Sequence, residues 1–214
     1  VFNDNFYKQG ILLLAVAAGH TQMQGYALVV FSLPFMLFAA PAGWFADRYA
    51  KRSVVIGSKW LEVVAMAFGG AGICWDVTWL AFVMLFIMAA QSTLFSPALN
   101  GSIPELYPEH YVIRANATLR VFVTAAILAG IAAAGVGLDV SGSPVLGIAR
   151  GRLVVGLGVV AVALAGALVS YGVVARPAAS PGKPFPWRGP LDTLRDLAGL
   201  RADPPLALTA TASV

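Results

Sequence analysis

Six apolar runs divide most of this chain: Phe6 to Gly19, Tyr26 to Phe45, Val54 to Ile73, Trp79 to Phe95, Leu119 to Leu138 and Leu153 to Val174. Most approach the roughly 20 residues that a helix needs to cross a hydrocarbon core about 30 Å thick. Backbone N–H and C=O groups find no water there, so a run of this length must close its own hydrogen bonds as a helix. A soluble core does not absorb six of them. Globular chains are about half apolar, whereas here 59% of residues are hydrophobic, 11% are charged and the mean hydropathy is +0.80. The expectation is an all-α polytopic membrane protein.

A net charge of +4 and a pI near 9.5 would point to nucleic acid in a soluble protein. Here Lys and Arg collect between the runs, as the positive-inside rule requires, and no nucleic-acid partner is expected. Arg48, Lys51 and Arg52 fall between spans two and three and Arg114 between four and five, while Arg176, Lys183, Arg188, Arg195 and Arg201 follow span six. These three loops share one side, which the rule makes cytoplasmic; the other side carries only Arg150 and Arg152. Cys74 is the single cysteine, so it forms no disulfide or CxxC site within the chain and reads as an apolar filler. No metal site and no cofactor is expected.

The domain reading is a six-helix bundle over residues 1–175, a Pro-rich cytoplasmic linker over 176–204, and the start of a seventh span over 205–214. Within the linker, Leu191, Leu194 and Leu197 share one face of a short amphipathic helix. The stretch from Ser96 to Ala117, "SPALNGSIPELYPEHYVIRANA", carries Pro97, Pro104 and Pro108 and reads as a structured loop. The chain opens inside an apolar segment and closes in a run cut short after Pro205, so both ends read as those of a fragment. A six-helix unit followed by a long linker and another span suggests half of a two-fold repeated transporter, its partner being the C-terminal half.

One charged stretch stands out between spans two and three: "GWFADRYAKR", residues 43–52, with Gly43, Asp47, Arg48, Lys51 and Arg52. The pattern Gly-x-x-x-Asp-Arg-x-x-Lys-Arg resembles the signature loop of the major facilitator superfamily, with Ala50 where a second Gly usually stands. The resemblance implies the N-terminal six-helix bundle of that fold and a gating role for these five residues, made in one conformation and broken in the other. Gly43 is expected to let span two pack closely, and Asp47 to pair with a cation or a helix N-terminus.

Three further stretches, "FNDNFYKQGILLLA" at 2–15, "LFSPALNGSIPELYPEHYVIRANA" at 94–117 and "TAAILAGIAAAG" at 124–135, resemble the lysophospholipid transporter branch, which includes fusions to acyltransferase and acyl-carrier-protein synthetase domains. That resemblance implies movement of lysophosphatidylethanolamine-like lipids across the bacterial inner membrane for reacylation. Membrane lipids and a fused or associated acyltransferase are the implied partners.

An ionisable residue within a span is a functional candidate because its burial is costly. Asp4 and Lys8 lie one turn apart near the expected cytoplasmic end of span one, and the resemblance puts Asp4 at an acidic position facing the central cavity. Glu62 lies deeper than Lys59, with which it is spaced to pair at the membrane interface. With Asn5, Gln91 and Asn100 these complete the candidate cavity set: Asp4, Asn5, Lys8, Glu62, Gln91 and Asn100. Asn3, Ser92 and Ser96 are further polar sites, more often helix-helix hydrogen-bonding partners than ligands. Leu99 stands where several members of the branch carry Lys; Arg114 and Arg120 are possible substitutes for a phosphate contact, although interfacial snorkelling is the commoner role. Neither His20 nor His110 has an Asp five residues on, so the His-x-x-x-x-Asp acyltransferase motif is missing and no catalytic residue is expected in this stretch. The alternatives are a facilitator for another small molecule, the membrane part of a fused acyltransferase, or a scaffold that moves nothing.

Overall fold

The computed structural model describes residues 1–186, and within them six α-helices: α1 Phe2–Ala17, α2 Gln22–Arg48, α3 Lys51–Cys74, α4 Thr78–Leu106, α5 Glu109–Leu138 and α6 Arg150–Ser170. Each apolar run became a helix. α2 through α6 are each long and apolar enough to cross a bilayer; α1 has 16 residues. The amphipathic linker helix around Leu191 to Leu197 and the start of a seventh span lie outside the described residues.

α2 to α5 overrun the expected spans, whereas α1 and α6 end before theirs, at Ala17 and Ser170, and one expectation fails. Ser96 to Ala117 is no loop: α4 continues through Pro97 and Pro104 to Leu106, and α5 begins at Glu109. A proline removes one donor, yet helices packed on neighbours tolerate that because other groups serve the freed carbonyls. Pro97 and Pro104 free the Thr93 and Asn100 carbonyls; close by, Ser102 donates to the Ala98 carbonyl at 2.6 Å, and Lys51 ties α3 to α4 by donating to the Gly101 carbonyl at 2.8 Å. Only Pro108 breaks the chain. It holds Tyr107 extended at ψ 146°, as the residue before proline prefers, and itself stands just before the first turn of α5, where Glu109 complements the helix dipole.

α3 and α4 pack along each other, α2 lies on α4, α6 on α3, and α5 on α1. Lipid offers no hydrophobic drive between helices, so close backbone approach must hold them. A Cβ on Gly70 would lie 2.6 Å from the Gly156 carbonyl oxygen, and one on Gly130 would lie 2.5 Å from that of Phe2. These contacts set the α3–α6 and α1–α5 spacings. At the centre, Tyr7 is fully buried, with its hydroxyl donating to the Ala81 carbonyl at 3.0 Å. Outward faces carry exposed Met36, Phe68, Phe122 and Val169, the surface that hydrocarbon would cover.

Away from the bundle's interior, charged groups collect at two ends. One gathers Asp47, Arg48, Lys51, Arg52, Glu105 and Lys183; the other holds Asp76 and Arg152, paired at 2.8 Å, and the hairpin-like turn from Asp139 to Ala149. Cys74 lies at this second end, its Sγ 3.7 Å from the Arg152 carbonyl oxygen.

Candidate functional site

Charged and polar side chains converge at mid-height of the bundle. Asn3 of α1 donates from Nδ2 to Glu62 Oε1 of α3 at 2.9 Å and to the Val159 carbonyl of α6 at 3.0 Å. Glu62 and Val159 each sit near the middle of their own helices, so the first turn of α1 lies at the centre of the bundle. This corrects the expectation that Asp4 lies near the cytoplasmic end of span one. Helix register, which depends on what α1 packs against, decides that depth.

Asp4 is 8% exposed, and its Oδ2 accepts a bond from Ser92 Oγ at 2.8 Å, with the Val1 backbone nitrogen 3.3 Å away. Glu62 is 2% exposed; Lys59 Nζ donates to its Oε2 at 2.7 Å. The same ammonium lies 4.9 Å from the Phe95 ring centre. Lys59 and Glu62 do pair as their spacing implied, but deep in the bundle rather than at an interface. Such a pair is held only because both charges are met at once.

These groups border a cavity of about 190 Å³ between α1, α2, α3, α4 and α5. Of the six cavity candidates, Asp4, Glu62, Gln91 and Asn100 line it. Asn5 and Lys8 do not. Asn5 turns back to the Val1 carbonyl at 2.9 Å and packs toward Gly130 of α5, while Lys8 lies with its ammonium 4.5 Å from the Phe31 ring centre. Both follow from geometry: Asn5 is turned about 100° from Asp4 around α1, whereas Lys8 shares the face of Asp4 but stands one turn further along, beyond the cavity.

The residues absent from the candidate set are Lys59, Ser92, Ser96 and Arg120, which also line the cavity. Ser92, Ser96 and Asn100 form an i, i+4, i+8 stripe, a legible signal once α4 is allowed to run past Pro97. Asn100 Nδ2 donates to Ser96 Oγ at 3.3 Å along it. Apolar walls come from Phe35, Phe95, Leu99 and Val123. A cleft of about 290 Å³ between α4 and α5 shares Leu99 and Leu119 with the cavity, so the two spaces adjoin.

The 43–52 stretch forms a second cluster. Asp47 accepts a bond from Lys183 Nζ at 2.6 Å, and its carbonyl accepts one from the Ser180 backbone at 2.8 Å. Arg48 and Trp44 both donate to the Lys183 carbonyl, at 2.8 and 2.9 Å. Lys51 pairs with Glu105 of α4, and Arg52 donates to the Tyr171 carbonyl at 3.1 Å. The segment after α6 is thus strapped across the α2–α3 turn. At Gly43 a Cβ would meet nothing within 4 Å, so no helix among the described residues packs closely there. Ala50 adopts φ −56° and ψ 124°, an ordinary extended backbone, so the turn has no need of glycine there.

The family model of the Major Facilitator Superfamily matches residues 9–214. Among curated proteins, the chain is similar to the lysophospholipid transporter LplT of Salmonella heidelberg (strain SL476), 31% identical over 143 residues, covering 64% of this chain and 34% of the relative. It is likewise similar to LplT of Salmonella agona (strain SL483), 32% identical over 139 residues, covering 64% of this chain and 33% of the relative. The match thus spans about a third of the length of these relatives.

Proposed function

The chain belongs to the major facilitator superfamily of integral membrane transporters, and on that premise we propose that it is part of a carrier for a lysophospholipid, close to lysophosphatidylethanolamine, in the bacterial inner membrane. The observation that carries this reading is the mid-bundle cavity with carboxylates at Asp4 and Glu62 and an adjoining cleft between α4 and α5 walled in part by Leu99, Ile103, Leu106 and Leu119. A single-chain lipid needs polar groups for its headgroup and apolar wall for its chain. The names of the relatives support the same substrate class.

Alternating access is the mechanism. This six-helix bundle rocks against a second bundle about the central cavity, and the acyl chain stays toward the bilayer through the α4–α5 cleft while the headgroup crosses. Asp4, reached by Ser92 and open to the cavity, attracts the ammonium of the headgroup. The end bearing Asp47, Arg48, Lys51 and Arg52 faces the cytoplasm, where its basic residues meet anionic headgroups. The strap contacts to Lys183 then form on one side of the cycle and release on the other.

The test is uptake of labelled lysophosphatidylethanolamine into proteoliposomes holding the native polypeptide, with and without Asp4→Asn. Saturable uptake that collapses in a normally inserted Asp4→Asn variant is the expected result. Well-folded protein that moves no lysophospholipid would overturn the substrate assignment.

A further inference from the structure

Arg120 is the one cation on the cavity wall without a partner among the described residues. Lys59, the other cation there, is already neutralised by Glu62 at 2.7 Å. Arg120 is exposed and stands on the lining of the cavity, where its guanidinium is free to meet a ligand. Its five donors suit an anion with several acceptor oxygens, which it can hold by two parallel bonds.

Position along the cavity narrows the anion. Arg120 follows Leu119, which with Leu99 lines both the cavity and the α4–α5 cleft, while Asp4 belongs to the wall contributed by α1. The cavity thus offers a carboxylate on α1 and a guanidinium on α5, the latter next in sequence to a residue of the adjoining cleft. A zwitterionic single-chain phospholipid carries an ammonium and a phosphate on one headgroup joined to an acyl chain. Leu99, opposite on α4, offers no charge, so the anion contact falls to α5.

Building on the lysophospholipid reading, we infer that Arg120 holds the substrate phosphate, and that the Asp4–Arg120 pairing of opposite charges across the cavity selects zwitterionic lysophospholipids over single-chain amphiphiles without phosphate. Arg120 is then a specificity-determining residue, distinct from the ammonium site at Asp4.

The test uses the native polypeptide in proteoliposomes, with uptake of lysophosphatidylethanolamine measured for wild type, Arg120→Gln and Arg120→Lys, each matched for inserted protein. A long-chain alkylammonium serves as a phosphate-free competitor. Loss of a charged hydrogen-bonding pair should raise the KM for the lysophospholipid about ten- to hundredfold in Arg120→Gln. Arg120→Lys, a point charge without the fork, should fall between. Inhibition by the alkylammonium should be the same in all three. An unchanged KM in both variants overturns the inference and leaves the transport reading standing. Equal loss for lysophospholipid and competitor also overturns it, because it assigns Arg120 to the bundle's structure. Should Arg120→Gln fail to insert, Arg120→Lys alone decides: a raised KM with unchanged competitor inhibition supports the inference. Wild-type protein that moves no lysophospholipid defeats the underlying reading and this inference with it.

Discussion

Replacing Lys59 with Met should do more harm than replacing its partner. Glu62 has its side chain 3% exposed and Lys59 18%, with 2.7 Å between the charged atoms. Lys59→Met leaves a carboxylate in the middle of the bundle with Asn3 Nδ2 as its remaining donor. Breaking a buried pair from one side costs about 3–5 kcal/mol, which is roughly two to three and a half powers of ten in the unfolding equilibrium. Glu62→Gln is milder: the amide oxygen still accepts from Asn3, and the Lys59 ammonium keeps Phe95 and access to the cavity. The loss of one charged hydrogen bond there is worth about 1.5–3 kcal/mol. The double variant carries no buried charge at this point and should lie within about 1–2 kcal/mol of wild type, since replacing a buried pair with neutral groups is often close to neutral. The assay is unfolding of the native polypeptide in mixed detergent micelles, followed by tryptophan fluorescence and analysed as a double-mutant cycle. If Lys59→Met proves no worse than Glu62→Gln, or the double variant falls as far as the sum of the two, the pair is not a desolvated one.

Gly156→Ala should destabilise the bundle by about 1–3 kcal/mol, because the new methyl would meet Cys74 Sγ at 2.6 Å and the Gly70 carbonyl oxygen at 3.0 Å; the same unfolding assay reads it. Gly43→Ala should be neutral or stabilising by up to about 1 kcal/mol, since the site is helical and open, and a clear loss of stability would contradict the open space seen there. Asp47→Asn breaks a pair whose side chains are 41% and 46% exposed, so stability should change by only about 0.2–1 kcal/mol. Uptake in proteoliposomes should nevertheless fall, and Lys183→Gln should mimic that loss if the strap contact is part of the gate.

The sequence by itself determined that residues 1–186 are helical, suited to a membrane and divided into six segments, because hydrophobic length is a local property that lipid enforces residue by residue. It also determined the family, since the 43–52 pattern and the stretches around Ser96 and Thr124 are contiguous. Which prolines end a helix was not local. Pro97 and Pro104 look no different from Pro108 in the sequence, yet α4 runs on past both where it packs along α2 and α3. Depth was not local either. Asp4 lies at the centre of the bundle because α1 is registered by Asn3 against Glu62 and Val159, residues 59 and 156 positions away. The same holds for placement on α1: Asn5 and Lys8 are as polar as Asp4, but rotation turns Asn5 toward α5, and one further turn of helix carries Lys8 to Phe31. Residue type names the groups that are costly to bury; contacts between distant helices decide which of them share a cavity.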